Sequence, residues 1–355
     1  MSYRVAAVIP AHNEEETIAG AVADLAAQTH PLEMIVVVND CSTDGTGRVL
    51  AEMQKSLPQL VVLANHVPRL RAGAVNRGLE FLREKPIDLV VVADADSCFD
   101  LGLVEAAVAC FARYPRLGGV CSTSGVLPPE RWEKSPWRRL ETWFLWRLQR
   151  LEGAGFDAVR TATWQDVQIL HGLCSVFNLR ALLEVGGYTP GHMLEDYDLT
   201  LRLRRVGWRT MFCPRMRAWT RVPLTFKSFF RQRLRWMRGG VDILLQRGID
   251  RFTLGDLCQH LLFILLFTGV LSHLVLNLIV DKNWRLQFFL HPVPLALAGL
   301  GQVWSLYKLR FLDRIEGWDL ALRLAVLPEL IVAAFLSFLQ FKAYSLSLFD
   351  RPQEW

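Results

Sequence analysis

Neither a Gly-x-Gly-x-x-Gly turn nor a Walker phosphate loop occurs in this chain, which removes the main sequence support for hydride transfer and for P-loop chemistry. Cysteine is sparse and badly placed for crosslinking. The seven residues are an odd number with no framework spacing, which argues against a disulfide scaffold and for a reducing compartment. Met1-Ser2-Tyr3-Arg4 leads at once into the strand-like Val5-Ala6-Ala7-Val8-Ile9, too little for a signal peptide, so the first domain is expected to stay in the cytosol. Charge of one sign is not in large excess: the formal net charge is +5, with basic residues concentrated between Arg131 and Arg251. Nucleic acid is one partner for such a patch. Anionic lipid or a diphosphate explains it more simply given the apolar chain that follows, so no nucleic-acid partner is expected.

What is abundant is apolar side chain, 52% of 355 residues. It is unevenly spread, and a boundary falls near Arg251–Leu257. Beyond it, Leu257–Val280, Leu286–Tyr307 and Leu320–Phe349 each supply the roughly 20 apolar residues that a membrane span requires. Arginines at 231, 233, 235, 238, 247 and 251 precede the first of these. Lys308, Arg310, Arg314 and Arg323 lie between the second and third, while the loop Asp281–Arg285 is nearly neutral. The positive-inside rule then puts the N-terminal domain on the cytosolic face of the cell membrane. The organisation expected is a catalytic domain over residues 1–225, an interfacial amphipathic helix over 226–250 and a membrane region over 251–355 with about three transmembrane helices.

In the first part, strand-like runs alternate with helical periodicity. Val5–Ile9 precedes a helix through Glu14–Gln28, Ile35–Val38 one through Arg48–Gln54, Leu60–Ala64 one through Ala74–Arg83, and Leu89–Val92 one through Leu103–Tyr114. Continuously apolar strands are those of a mostly parallel, Rossmann-like sheet covered on both faces. Ligands bind such sheets at the carboxyl ends of the strands. Those ends carry Pro10-Ala11-His12-Asn13-Glu14, then Asn39-Asp40, then Asp94-Ala95-Asp96.

Asp94 and Asp96 suit a hard divalent cation, which commonly takes one or two carboxylates plus phosphate oxygens. Each acid alone reads as readily as a turn or helix cap. Acids at successive strand ends are what single them out. Downstream, Glu195-Asp196 opens a helix, where acids are favoured electrostatically in any case. Gln232-Arg233-Leu234-Arg235-Trp236 sits in a basic, aromatic segment that equally describes a helix lying in a membrane interface. A second such stretch holds Trp132, Trp137, Trp143 and Trp146 with Arg138, Arg139, Arg147 and Arg150. It suits the membrane surface, an acceptor channel or plain core packing.

Asp40, Asp94-Ala95-Asp96, Glu195-Asp196 and Gln232–Trp236 follow one another in the order and approximate spacing of family-two glycosyltransferases. The chain resembles their membrane-bound members, the cellulose, chitin, hyaluronan and poly-N-acetylglucosamine synthases. His171-Gly172-Leu173-Cys174, Asn178-Leu179-Arg180 and Gly186-Gly187-Tyr188 make it most similar to the last of these. The resemblance covers about residues 4–250 and implies a GT-A fold, a UDP-sugar donor and Mg²⁺ or Mn²⁺. It implies that Ala11, His12, Asn13, Glu14, Asp40 and Asp94 meet the nucleotide, that Arg235 binds the diphosphate and that Asp96 ligates the metal. Asp196 is then the general base of an inverting transfer, with His171, Cys174, Glu195, Gln232 and Trp236 lining the acceptor site. Arg71, which the resemblance also places in the nucleotide-sugar site, stands where those enzymes often have lysine, a change that keeps charge but not geometry.

The synthases also usually carry N-terminal spans, and three C-terminal spans are few for threading a polymer unless the protein forms a homo-oligomer or has an export partner. Transfer of one sugar to a lipid acceptor, as by glycolipid synthases, is therefore the main alternative to a glycan acceptor. An inactive membrane scaffold of a glycan export complex is a rival that the intact acids oppose. A nucleotidyltransferase shares the sheet and acids but needs neither membrane lipids nor the Trp motif.

Overall fold

The computed structural model describes residues 3–163, 166–280 and 292–349. A seven-stranded sheet forms its centre, built from β1 (Val5–Ala11), β2 (Met34–Asp40), β3 (Leu60–Asn65), β4 (Leu89–Ala93), β6 (Leu117–Cys121), β8 (Cys174–Asn178) and β9 (Arg209–Phe212) in the order β3-β2-β1-β4-β8-β6-β9. All pairings are parallel except those of β8, which runs antiparallel to both β4 and β6. A smaller sheet, β5 (Ser97–Phe99), β10 (Ala218–Thr220) and β7 (Gly125–Val126), sits at its edge. Strand order reverses between β1 and β4, and a switch point of this kind opens the crevice where ligands bind.

Period-two alternation sends successive β1 side chains to opposite faces. Val5, Ala7 and Ile9 pack with Ile18, Val22 and Leu25 of α1 (Ile18–Ala26) and with α4 (Leu103–Arg113). Ala6 and Val8 pack with Val75, Leu79 and Leu82 of α3 (Leu70–Leu82). The helix α2 (Thr46–Gln54) is the one expected after β2. All four βα pairs expected in the first 114 residues are present. α1 starts four residues later than expected, because Glu14 to Thr17 form a turn instead.

Beyond Cys121 the chain adds a long helix α5 (Pro136–Thr163), a short α6 (Leu179–Glu184), α7 (Glu195–Arg205) and α8 (Phe226–Arg247). Asp198 locks α7 to α8 from a fully buried position. It accepts from Thr189 Oγ1 (2.7 Å), Arg202 Nε (2.9 Å) and Arg247 Nε (2.6 Å). Burial alone would raise the Asp198 carboxyl, but these donors outweigh it and hold the group below the usual carboxylate range. Replacing Asp198 with Ala leaves two guanidinium groups without their anion. We expect a loss of about 3–5 kcal/mol, the cost typical of breaking a buried pair, read as a lowered midpoint in thermal unfolding.

The C-terminal part is helical: α9 (Leu254–Val280), α10 (Pro292–Lys308), α11 (Gly317–Leu324) and α12 (Val326–Leu348). Three transmembrane helices were expected here, and the described residues support one of them. Among the described residues, one segment, Ile331–Leu348, is long and apolar enough to cross a membrane, and Leu254–Gly269 is a shorter apolar stretch. The loop Asp281–Arg285 and the start of the second expected span lie outside the described residues. The third expected span, Leu320–Phe349, is divided at Ala325, whose backbone is extended. Its first part is the amphipathic α11, started by a capping box between Glu316 and Asp319. Asp319 is fully buried against α5 and accepts from Arg147 (2.9 Å) and Arg150 (2.5 Å). That ion pairing also accounts for part of the basic α5 stretch: two of its five arginines serve packing here.

Candidate active site

The acids collect at the carboxyl ends of β1, β2 and β4. Asp40, buried at the end of β2, does not cap the helix that follows it. Its carboxylate accepts from Asn65 Nδ2 (2.7 Å) and from the Arg69 backbone N–H (3.0 Å to each oxygen). His12 Nδ1 lies 2.7 Å from the Asp40 carbonyl, and Asn13 Oδ1 accepts from the Thr43 backbone N–H at 2.8 Å. The loops after β1 and β2 are thereby one unit, with Ala11 buried beneath it and Asn13 and Cys41 in left-handed backbone. Glu14 is held by Thr17 Oγ1 (2.6 Å).

Arg71, in the first turn of α3, forms the hub. Its Nε donates to Asp94 Oδ1 (2.8 Å), one Nη to both Glu195 Oε1 and Asp196 Oδ1 (3.0 Å each), and the other Nη to the Gly172 carbonyl (3.0 Å). Glu195 and Asp196 therefore face across the crevice instead of capping α7, whose start has no side-chain cap. Burial pushes the Asp196 carboxyl up to about 7; Arg71 pulls against this, while Glu195 and Asp94 add to it. Asp196 Oδ2 has no donor among the described residues. Gly172 keeps that oxygen open, because an ideal Cβ at this position would lie 2.6 Å from Arg71 Nη2 and 2.8 Å from Asp196 Oδ2. Gly172→Ala is expected to displace the pair and lower kcat by about 10²-fold with the fold retained, measured by steady-state kinetics and thermal unfolding.

Asp96, unlike Asp94, has no cation against it among the described residues. Its nearest donors are two hydroxyls, Thr220 Oγ1 at 3.3 Å and Ser97 Oγ at 3.4 Å. Burial, and then repulsion from Asp94 and Glu14, raises its carboxyl to about 6. No cluster of three or more metal-ligating side chains occurs among the described residues. A single under-compensated carboxylate beside Asp94 fits a cation completed by phosphate oxygens.

The acceptor-side expectations fare unevenly. Cys174 is fully buried in the sheet core, its thiol pushed up by burial, and it offers no surface to a ligand. The reason is period two: as the first residue of β8 it points inward, while the preceding loop stays at the crevice. His171 is anchored through Nε2 to the Ser122 carbonyl (2.8 Å), and burial lowers its imidazole to about 3, so the ring is neutral. Arg235, expected to hold a diphosphate, is exposed on α8 and has no ion pair or hydrogen bond among the described residues. The motif's other arginine is the engaged one. Arg233 donates to Gln232 Oε1 (2.6 Å) and to Glu152, and lies 4.3 Å from the Trp236 ring centroid. α8 reaches the acids through Gly239, where a Cβ would come within 2.8 Å of Leu194 Cγ, just before Glu195.

Three contributors had no motif to announce them. Asn65 ends β3 as Asp40 ends β2, a parallel that the strand pattern contains. Thr220 reaches Asp96 only because β10 pairs with β5. Asn76 exchanges two hydrogen bonds with the Tyr188 backbone (2.7 and 2.8 Å), setting the ring beside Arg71.

The mostly parallel sheet with acids at its switch point has the GT-A type fold. The sequence comparison agrees. Residues 3–239 match the model described as glycosyltransferase like family 2, and the chain belongs to that family. Its relatives include poly-beta-1,6-N-acetyl-D-glucosamine synthases of Staphylococcus aureus (strain COL), 25% identical over 268 residues, and of Staphylococcus epidermidis, 24% identical over the same length. Each match covers 75% of this chain and 60% of the relative, so the chain spans well under two thirds of their length. A solved structure of the mannosyltransferase PcManGT from Pyrobaculum calidifontis, in complex with GDP-Man and Mn²⁺, shares the fold with a TM-score of 0.59. It is 19% identical, with 99% of this chain and 89% of that one covered.

Proposed function

We propose that this protein is an inverting, metal-dependent glycosyltransferase that moves a sugar from a UDP-sugar to a glycan acceptor at the cytosolic membrane face. The observation that carries the reading is the Arg71 hub, which brings Asp94 of the donor side within one guanidinium of Asp196. The His12–Glu14 loop, Asp40 and Asp94 bind the nucleotide, and Asp96 holds Mg²⁺ or Mn²⁺. The cation, when bound, stabilises the negative charge that develops on the departing diphosphate.

Asp196 takes the proton of the acceptor hydroxyl on its open Oδ2 as the oxygen attacks the anomeric carbon. The bond to UDP breaks on the opposite face, and the configuration inverts. A base near pH 7 is matched to this task, since Brønsted behaviour favours a catalytic pKa close to the working pH. Trp236 offers the acceptor sugar a flat wall, and Gln232 and Glu195 offer it hydrogen bonds. The relatives' names favour a polysaccharide product. The apolar Ile331–Leu348 helix supports the membrane location and keeps open a second reading, single transfer to a lipid acceptor.

Mass spectrometry and NMR of the product made from UDP-N-acetylglucosamine test both readings. An inverted anomer in an oligosaccharide supports the proposal. One sugar on a lipid replaces the acceptor assignment, and a retained anomer rejects Asp196 as base.

A further inference from the structure

The smaller sheet brings a further cation to the donor side of the crevice. β10 runs antiparallel to β5 with Thr220 opposite Ser97, and the Thr220 hydroxyl lies 3.3 Å from Asp96 Oδ1. Arg221, the next residue, leaves the sheet at that same end. Its guanidinium donates to Glu130, in the segment after β7, and stands 4.0 Å from Glu16, two residues beyond Glu14. The side chain thus bridges the loops that follow β1 and β7. Both partner carboxylates are open to water, at 65% and 81% exposure, and ion pairs of that kind contribute little. The Cys98 thiol feels Arg221 and Asp96 together: burial and Asp24 raise it, Arg221 pulls it down and Asp96 adds to the rise. Arg221 is therefore a cation near Asp96 on partners that it can leave.

We propose that Arg221 binds the diphosphate of the sugar donor. The inference rests on the donor and metal roles given above, which put that diphosphate at Asp96. Arg71 is already committed, because its three nitrogens donate to three carboxylates and the Gly172 carbonyl. The planar fork of a guanidinium fits two phosphate oxygens at once. Moving from Glu130 and Glu16 to a diphosphate exchanges two water-screened pairs for one partner of higher charge. Departure of the sugar adds negative charge to that partner, so the contact strengthens as the bond breaks.

The test titrates UDP into the full chain in detergent with Mn²⁺, by calorimetry, with uridine measured by competition. Arg221→Gln should weaken UDP about tenfold, the loss expected of one charge-assisted pair, and leave uridine unchanged. Arg221→Lys should fall between parent and Arg221→Gln, since it keeps the charge without the fork. Arg217→Gln removes the same charge just before β10, where Arg217 lies 3.6 Å from Asp313, and should bind UDP like the parent. Glu130→Gln frees Arg221 and should bind UDP at least as tightly as the parent. Undiminished UDP affinity in Arg221→Gln, an equal loss for uridine, or an equal loss in Arg217→Gln would overturn the proposal. A folded parent that binds neither ligand rejects the donor reading itself, and this assignment falls with it.

Discussion

Asp196→Asn is expected to lower kcat by about 10³-fold, within the range that a positioned general base contributes, while UDP affinity changes little. The carboxamide is nearly isosteric and can still accept from Arg71 through its oxygen, so the fold around α7 should survive. What it lacks is a basic oxygen in place of Oδ2, the atom left without a donor. The same assignment fixes a pH dependence. As the proposed base Asp196 would act only when ionised, and burial raises it to about 7. In the parent enzyme kcat/KM should therefore fall about tenfold per unit below pH 7 and level off above it. The asparagine variant should lose that limb. Wild-type turnover in a folded, UDP-binding Asp196→Asn protein would sink the assignment.

Arg71→Met should have the second large effect, and on two observables. Among the described residues the guanidinium is the one cation bridging Asp94, Glu195 and Asp196, with 24% of its side chain exposed. Removing it leaves three partly buried carboxylates to repel one another, a loss of about 3–5 kcal/mol for a broken buried pair. Because Arg71 is the main influence pulling Asp196 down, its loss should push that carboxyl higher still. The kcat/KM limb should then move up by about one pH unit or more. Lysine keeps the charge but cannot span four acceptors. Arg71→Lys should restore most of the stability and only part of kcat. An Arg71→Met enzyme with an unshifted profile would show that the hub is a packing feature with no hold on the base.

Much of the first sheet was legible because its strands are continuous apolar runs bounded by polar ends, a pattern that β1 to β4 follow closely. β8 was not, since its antiparallel insertion between β4 and β6 is a tertiary choice that period-two patterning does not register. The acids were found by their place at strand ends and by resemblance. Their partners were not, because Asn65, Arg69 N–H and Thr220 meet them only through the packing of separate loops. Arg71 was expected near the nucleotide. That it also reaches Glu195 and Asp196, 124 and 125 residues later, follows from the seating of α7 against α3's start. The third apolar stretch contains the one described segment that is long and apolar enough to cross a membrane, but its first part is a separate helix. α11 meets α5 through Asp319, and Pro328 near the start of α12 lacks the backbone N–H that a helix continuous with α11 would donate.

The most direct test of the central claim is UDP release by the detergent-solubilised protein against a panel of UDP-sugars, with and without Mn²⁺ or Mg²⁺ and with an oligosaccharide acceptor. The account predicts release with one donor, dependent on the cation and abolished in Asp96→Asn. Folded protein that binds UDP yet releases none from any donor, or releases it equally after chelation, would contradict it.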